Sequence, residues 1–127
     1  MRDVKIDGIY DRRTLEFLQK KDVKNLGFDF RPKSLNFIQG YAFLELLKEF
    51  FTPQNKFFLK FSNEPDFMIE KILSDSNQYL SLEQINTNIC LEFSACPKGK
   101  NEWEFGLPYM VEYHPELKLK DHLEQKY

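Results

Sequence analysis

The chain has 127 residues and a formal net charge of −2, with 42% hydrophobic and 30% charged residues. That length suits one domain over 1–127, and the near-neutral charge lacks the basic stripe of a nucleic-acid binder. No apolar run approaches the roughly 20 residues of a membrane span, and Met1-Arg2-Asp3-Val4-Lys5 carries no signal-peptide core.

Cys90 and Cys96 are too few for a disulfide framework and belong to no metal-binding Cys/His cluster. They read as reduced thiols in a bacterial-type cytoplasm, with Cys90 buried in a strand and Cys96 in a loop. No cofactor, metal, nucleic acid or membrane is expected.

Taken in order, Val4 to Ile9 alternates apolar and polar residues and predicts a first strand. Asp11 can cap a helix over Arg12 to Lys21, with Leu15 and Leu18 at core spacing. A second strand, Leu26 to Phe30, leads through Arg31-Pro32-Lys33-Ser34 into a helix over Leu35 to Phe51. Its stripe is Phe37, Ile38, Tyr41, Leu44, Leu47 and Phe51. After the turn at Thr52-Pro53-Gln54-Asn55 comes a third strand, Lys56 to Ser62. Asn63 is a good cap for a third helix, Glu64 to Ser74.

Tyr79 to Gln84 alternates and predicts a fourth strand. Only Ile85-Asn86-Thr87-Asn88 then separates it from the apolar run Ile89 to Ser94, too short for a parallel crossover. A hairpin or tight turn is expected there. The segments 102–105 and 109–113 also alternate, and the charged tail 116–127 reads as a short helix or arm. The repeating strand–helix order makes the first 84 residues a parallel α/β run, followed by irregular strands over 85–115.

Strand parity sorts the side chains. Val4, Ile6, Leu26, Phe28, Phe30, Phe57, Leu59, Phe61, Leu80, Leu82, Ile89, Leu91, Phe93, Trp103 and Phe105 fall on one face. Lys5, Asp7, Gly27, Asp29, Phe58, Lys60, Ser62, Tyr79, Ser81, Glu83, Cys90, Glu92, Ser94, Glu102 and Glu104 fall on the other. Helices can cover the first face. The second is either wet, or a polar concavity that binds a ligand or docks on another copy of the chain. Asp7, Asp29 and Glu83 would suit magnesium or calcium, but Lys5 and Lys60 neutralise them more simply.

Val4-Lys5-Ile6-Asp7-Gly8-Ile9, with Leu26-Gly27-Phe28-Asp29-Phe30-Arg31-Pro32-Lys33-Ser34 in matching register, resembles the phosphoribosylanthranilate isomerase family of tryptophan biosynthesis. That family opens with Val-Lys-Ile-Cys-Gly-Ile and continues through Gly-Phe-Val-Phe to Pro-Lys-Ser. The likeness covers about residues 3 to 75. It implies a partial or shortened TIM-barrel-like (βα) fold, with three to four parallel βα units and a remodelled, strand-rich C-terminal part.

The family's Amadori rearrangement needs a general acid at the sugar ring oxygen and a base at the neighbouring carbon. By the resemblance, Asp7 stands where the family has its basic Cys. Glu112, in Pro108-Tyr109-Met110-Val111-Glu112, is the candidate acid. Asn36 replaces a family Arg, and no glycine-rich phosphate loops are present. Lys5, Asp29, Arg31, Lys33 and Lys60 are the candidate ligand-binding residues.

The expectation is a divergent relative without full isomerase activity that binds a phosphorylated sugar, another small molecule or a partner on its polar face. An active isomerase with Asp7 as base and a self-associating structural module, perhaps a homodimer, are the alternatives. Neither His114 nor His122 has a nucleophile near it in sequence, so no triad is assigned.

Overall fold

A computed structural model of the chain describes residues 4–62 and 64–94, together with the backbone of 109–111. Its elements are β1 (Lys5–Ile6), α1 (Arg12–Lys20), β2 (Asn25–Asp29), α2 (Gly40–Phe50), β3 (Lys56–Phe61), α3 (Asp66–Ser76), α4 (Leu82–Asn88), β4 (Ile89–Phe93) and β5 (Tyr109–Val111). The strands form one sheet in the order β1-β2-β3-β4-β5, and every neighbouring pair is parallel.

The parity reading holds for β2, β3 and β4, whereas Val4 and Leu82, expected on the same apolar face, are exposed. Leu26, Phe28, Phe57, Leu59, Phe61, Ile89, Leu91 and Phe93 are all buried in one apolar cluster. That cluster also takes in Leu15 and Leu18 of α1, Phe43, Leu46 and Leu47 of α2, Ile69 and Ile72 of α3, and Ile85 of α4. The helices therefore cover a single face. Phenylalanine rings tie the layers together. Phe28 stacks on Phe57 and meets Phe43 edge-on, while Phe30 does the same with Phe61 and Phe43. Such pairs add about 0.5–1.5 kcal/mol beyond their buried area.

Helix α1 forms as its sequence predicts, with the Asp11 carboxylate accepting from the Thr14 N–H at 2.7 Å. Helix α2 starts at Gly40 rather than Leu35. The reason is the end of β2: Ile38 N–H donates to the Asp29 carbonyl at 2.9 Å, and Phe37 bridges to Asp29. Residues 31–38 thus run beside the strand end as turns instead of coiling. The buried stripe shifts to Phe43, Leu46 and Leu47, leaving Tyr41 exposed. Helix α3 starts with Pro65 at its cap position, and the expected cap Asn63 lies outside the described residues.

The largest correction concerns Tyr79 to Gln84, which is not a strand. Ser81 Oγ accepts from the Gln84 N–H at 3.1 Å, and Gln84 Oε1 accepts from the Ser81 N–H at 2.9 Å. This reciprocal cap starts α4, and Leu82 and Glu83 sit in its first turn. The four residues expected to make a hairpin are the rest of that helix. The true fourth strand is Ile89–Phe93, reached by a crossover through α3 and α4, so the parallel rhythm continues. In the expected strand 109–113, residues Tyr109–Val111 form β5, parallel to β4. The expected strand at 102–105 and the tail 116–127 lie outside the described residues.

At the N-terminal end of the strands, Asn55 is a buried knot. Its side-chain amide donates to the Val23 and Lys24 carbonyls, and its oxygen accepts from Gln19 and Thr52. Asn88 closes the next gap by donating to the Asn55 carbonyl at 2.8 Å. Buried amides satisfied in this way hold the strand starts in register.

The polar face curls. Lys5 pairs in register with Asn25 and Asn25 with Lys56, whereas Glu92 pairs with Lys60, four residues further along. On a flat sheet these positions would be about 14 Å apart across the strands and about 13 Å apart along them. Yet Lys5 Nζ lies 2.9 Å from Glu92 Oε1. Only a strongly coiled sheet with staggered strands brings the two side chains together.

Gly27 lies under this path. A Cβ there would collide with Asp7 Oδ1 and stand 3.1 Å from Asp7 Cα and 3.2 Å from the Ile6 carbonyl oxygen. Gly27→Ala should therefore cost about 1–3 kcal/mol in urea unfolding. Adding Asp7→Ala should restore only part of that loss, because the two backbone contacts remain. A neutral Gly27→Ala would contradict the close approach of β1 to β2.

Candidate functional site

Parallel βα folds place their ligand sites beyond the C-terminal ends of the strands. Here that edge gathers Asp7 and Gly8 after β1, Asp29 to Ser34 at β2, Lys60 to Ser62 and Glu64 at β3, and Glu92 to Ser94 at β4. Backbone links stitch the edge together. Ile9 N–H donates to the Gly27 carbonyl, Phe30 N–H to that of Lys60, and Ser94 N–H to that of Phe61.

The candidate residues separate into two groups. In the first, the Lys5 ammonium bridges Asp7 and Glu92 and lies 5.1 Å from the centre of the Phe58 ring. Glu92 is 6% exposed, and its Oε1 lies 2.9 Å from the Lys5 ammonium. Burial alone would lower the Lys5 pKa, but hydrogen bonds and charge from Asp7 and Glu92 raise it. Lys5 therefore stays a cation and is not a nucleophile. Asp7 remains well exposed, and its carboxylate is paired with that cation.

The second group is built on Asp29. Its carboxylate accepts from Arg31 Nε at 2.9 Å, Arg31 Nη2 at 2.7 Å and the Arg31 N–H at 3.0 Å. Burial would push the Asp29 carboxyl up, but these bonds, one from Ser34, and the guanidinium charge hold it below its ordinary value. Beside this pair opens a pocket of about 560 Å³, lined by Arg31, Pro32, Lys33, Ser34, Ser62 and Glu64. The Ser62 N–H donates to the Glu64 carboxylate, and the Ser62 and Ser94 hydroxyls bond at 2.9 Å.

Of the expected ligand residues, Arg31 and Lys33 line the pocket and Asp29 braces it from behind. Lys60 stands between Asp29 and Glu92 in the register, on the same face. Lys5 belongs to the other group. The candidate acid Glu112 lies outside the described residues, as do Cys96, His114 and His122. Glu83 sits on α4 rather than on the polar face, so the Asp7–Asp29–Glu83 set does not form. Among the described residues no group of His, Cys, Asp and Glu could hold a metal ion, and no helix is long and apolar enough to cross a membrane.

The polar face is not simply wet, since Asp29, Glu92, Cys90 and Phe58 are all buried. The sequence reading put Glu92 and Ser62 on this face but gave them no role. Ser34 and Glu64 were missed as pocket residues, although each stands just beyond a strand end. Comparison with protein-family models, curated proteins and solved structures finds no match to this chain.

A carboxyl whose folded pKa is depressed stabilises the fold above its unfolded pKa, and that contribution is lost as pH falls through the folded value. Asp29→Asn should thus cost about 1–3 kcal/mol at neutral pH. The gap to the parent chain should narrow as the pH falls below the ordinary carboxyl range in urea unfolding series. A gap independent of pH would contradict the ion pair.

Proposed function

We propose that this chain is a divergent relative of the phosphoribosylanthranilate isomerases, a shortened barrel wall that binds a small polar ligand without full isomerase activity. The observation that carries the reading is the pocket at the C-terminal ends of β2 and β3, where Arg31, Lys33, Ser34, Ser62 and Glu64 converge. The sequential parallel order of the strands, the single helical layer and the curl bringing Lys5 to Glu92 support a barrel-like wall. The absence of activity rests on the engagement of Asp7 by Lys5, in place of the thiol that the family uses. A cytoplasmic setting fits the free, buried Cys90.

Self-association is the second reading, favoured by the position of β1. It is the edge strand of the described sheet and carries only two paired residues. Open edges invite a further chain.

Incubation with phosphoribosylanthranilate, followed by the decay of its fluorescence, tests the main reading. No decay above the uncatalysed rate is expected. Turnover that disappears in Asp7→Ala would overturn the loss of activity. Sedimentation over a wide concentration range tests the second reading, and a constant monomer mass would remove it.

A further inference from the structure

The charges around the pocket point to a particular ligand chemistry, and the argument rests on the ligand-binding reading just given. Arg31 is the obvious anion anchor, yet its Nε and Nη2 are both engaged by Asp29. The carboxylates of Glu64 and Glu92 also bear on it. Lys33 is exposed at the mouth on the loop after β2, whereas Glu64 is half-buried on the loop after β3. With Asp29 included, two cations face two carboxylates.

A phosphate dianion gains no net field from such a balanced set. It would also have to sit beside the Glu64 carboxylate, a repulsion that only part of one guanidinium and one lysine oppose. A molecule with one positive and one negative end meets attraction at both. We propose that the pocket takes an amine-bearing carboxylate of the α-amino acid class, its carboxylate toward Lys33 and Ser34 and its ammonium toward Glu64. The Ser62 hydroxyl adds a neutral polar contact on the Glu64 side. Discrimination follows from removal of either charge, because each loss leaves a protein charge without its counterpart.

The test uses the full chain, isotope-labelled, with backbone amide shifts of Lys33, Ser34, Ser62 and Glu64 as readout. The protein L-amino acids are titrated singly, beside ribose 5-phosphate and inorganic phosphate. At least one amino acid should shift these amides, and its N-acetyl and methyl-ester derivatives should each bind about tenfold more weakly. Glu64→Gln should weaken the free amino acid by about the same factor while leaving the N-acetyl derivative, which has no ammonium to lose, as weak as before. Circular dichroism confirms that the variant is folded, and Lys33→Ala supplies a second, exposed site of change. Shifts with ribose 5-phosphate alone would overturn the zwitterion proposal and keep the pocket. No shift with any compound would overturn both. Equal binding of the N-acetyl derivative would also overturn the proposal.

Discussion

The Lys5 ammonium reaching Glu92 across three strand spacings is the constraint on which the rest of the structure turns. Glu92 is almost fully buried, and an unpaired buried carboxylate costs several kcal/mol. Its neutralising cation comes from the opposite end of the described sheet, so charge satisfaction and sheet curvature are one condition. Gly27 makes the route passable by presenting no side chain between β1 and β3. Phe58 supplies a floor, with the Lys5 and Lys56 ammonium groups both within about 6 Å of its ring centre. The same curl turns the strand ends toward one another and gathers the polar residues beyond them.

The second ion pair does different work. Asp29 and Arg31 are two residues apart, so their fork closes locally at the mouth of β2. By fixing the guanidinium, Asp29 shapes the loop that carries Lys33 and Ser34. It also removes most of the positive field that an anion would feel. The site is therefore polar and nearly balanced in charge, in contrast to the glycine-rich phosphate cradles of phosphosugar barrels, which rely on helix N-termini and backbone N–H groups.

Much of the fold was legible in the sequence because strand parity is a strong local signal. The phenylalanines at 28, 30, 57, 61 and 93 and the leucines at 26, 59 and 91 all lie on the predicted buried face. Asp11 marked the start of α1 correctly. Tyr79 to Gln84 misled because Leu80 and Leu82 alternate as strand residues do, while Ser81-Leu82-Glu83-Gln84 also carries the cap signature that won. The start of α2 misled for a tertiary reason: the Asp29 carbonyl captures the Ile38 N–H, which no periodicity records. Glu92 was placed on the right face, but its pairing with Lys5 depends on curvature and stagger, and these are properties of the assembled sheet. The pocket carboxylate Glu64 follows a strand end by a few residues, a position where its role is set by the loop rather than by alternation.

A double-mutant cycle between Lys5→Met and Glu92→Gln, read by urea unfolding at neutral pH and low salt, tests the curled wall most directly. The account predicts a coupling of about 1 kcal/mol or more, since each single change strands the other group. Additivity within about 0.5 kcal/mol would place the two side chains apart and contradict the curled sheet.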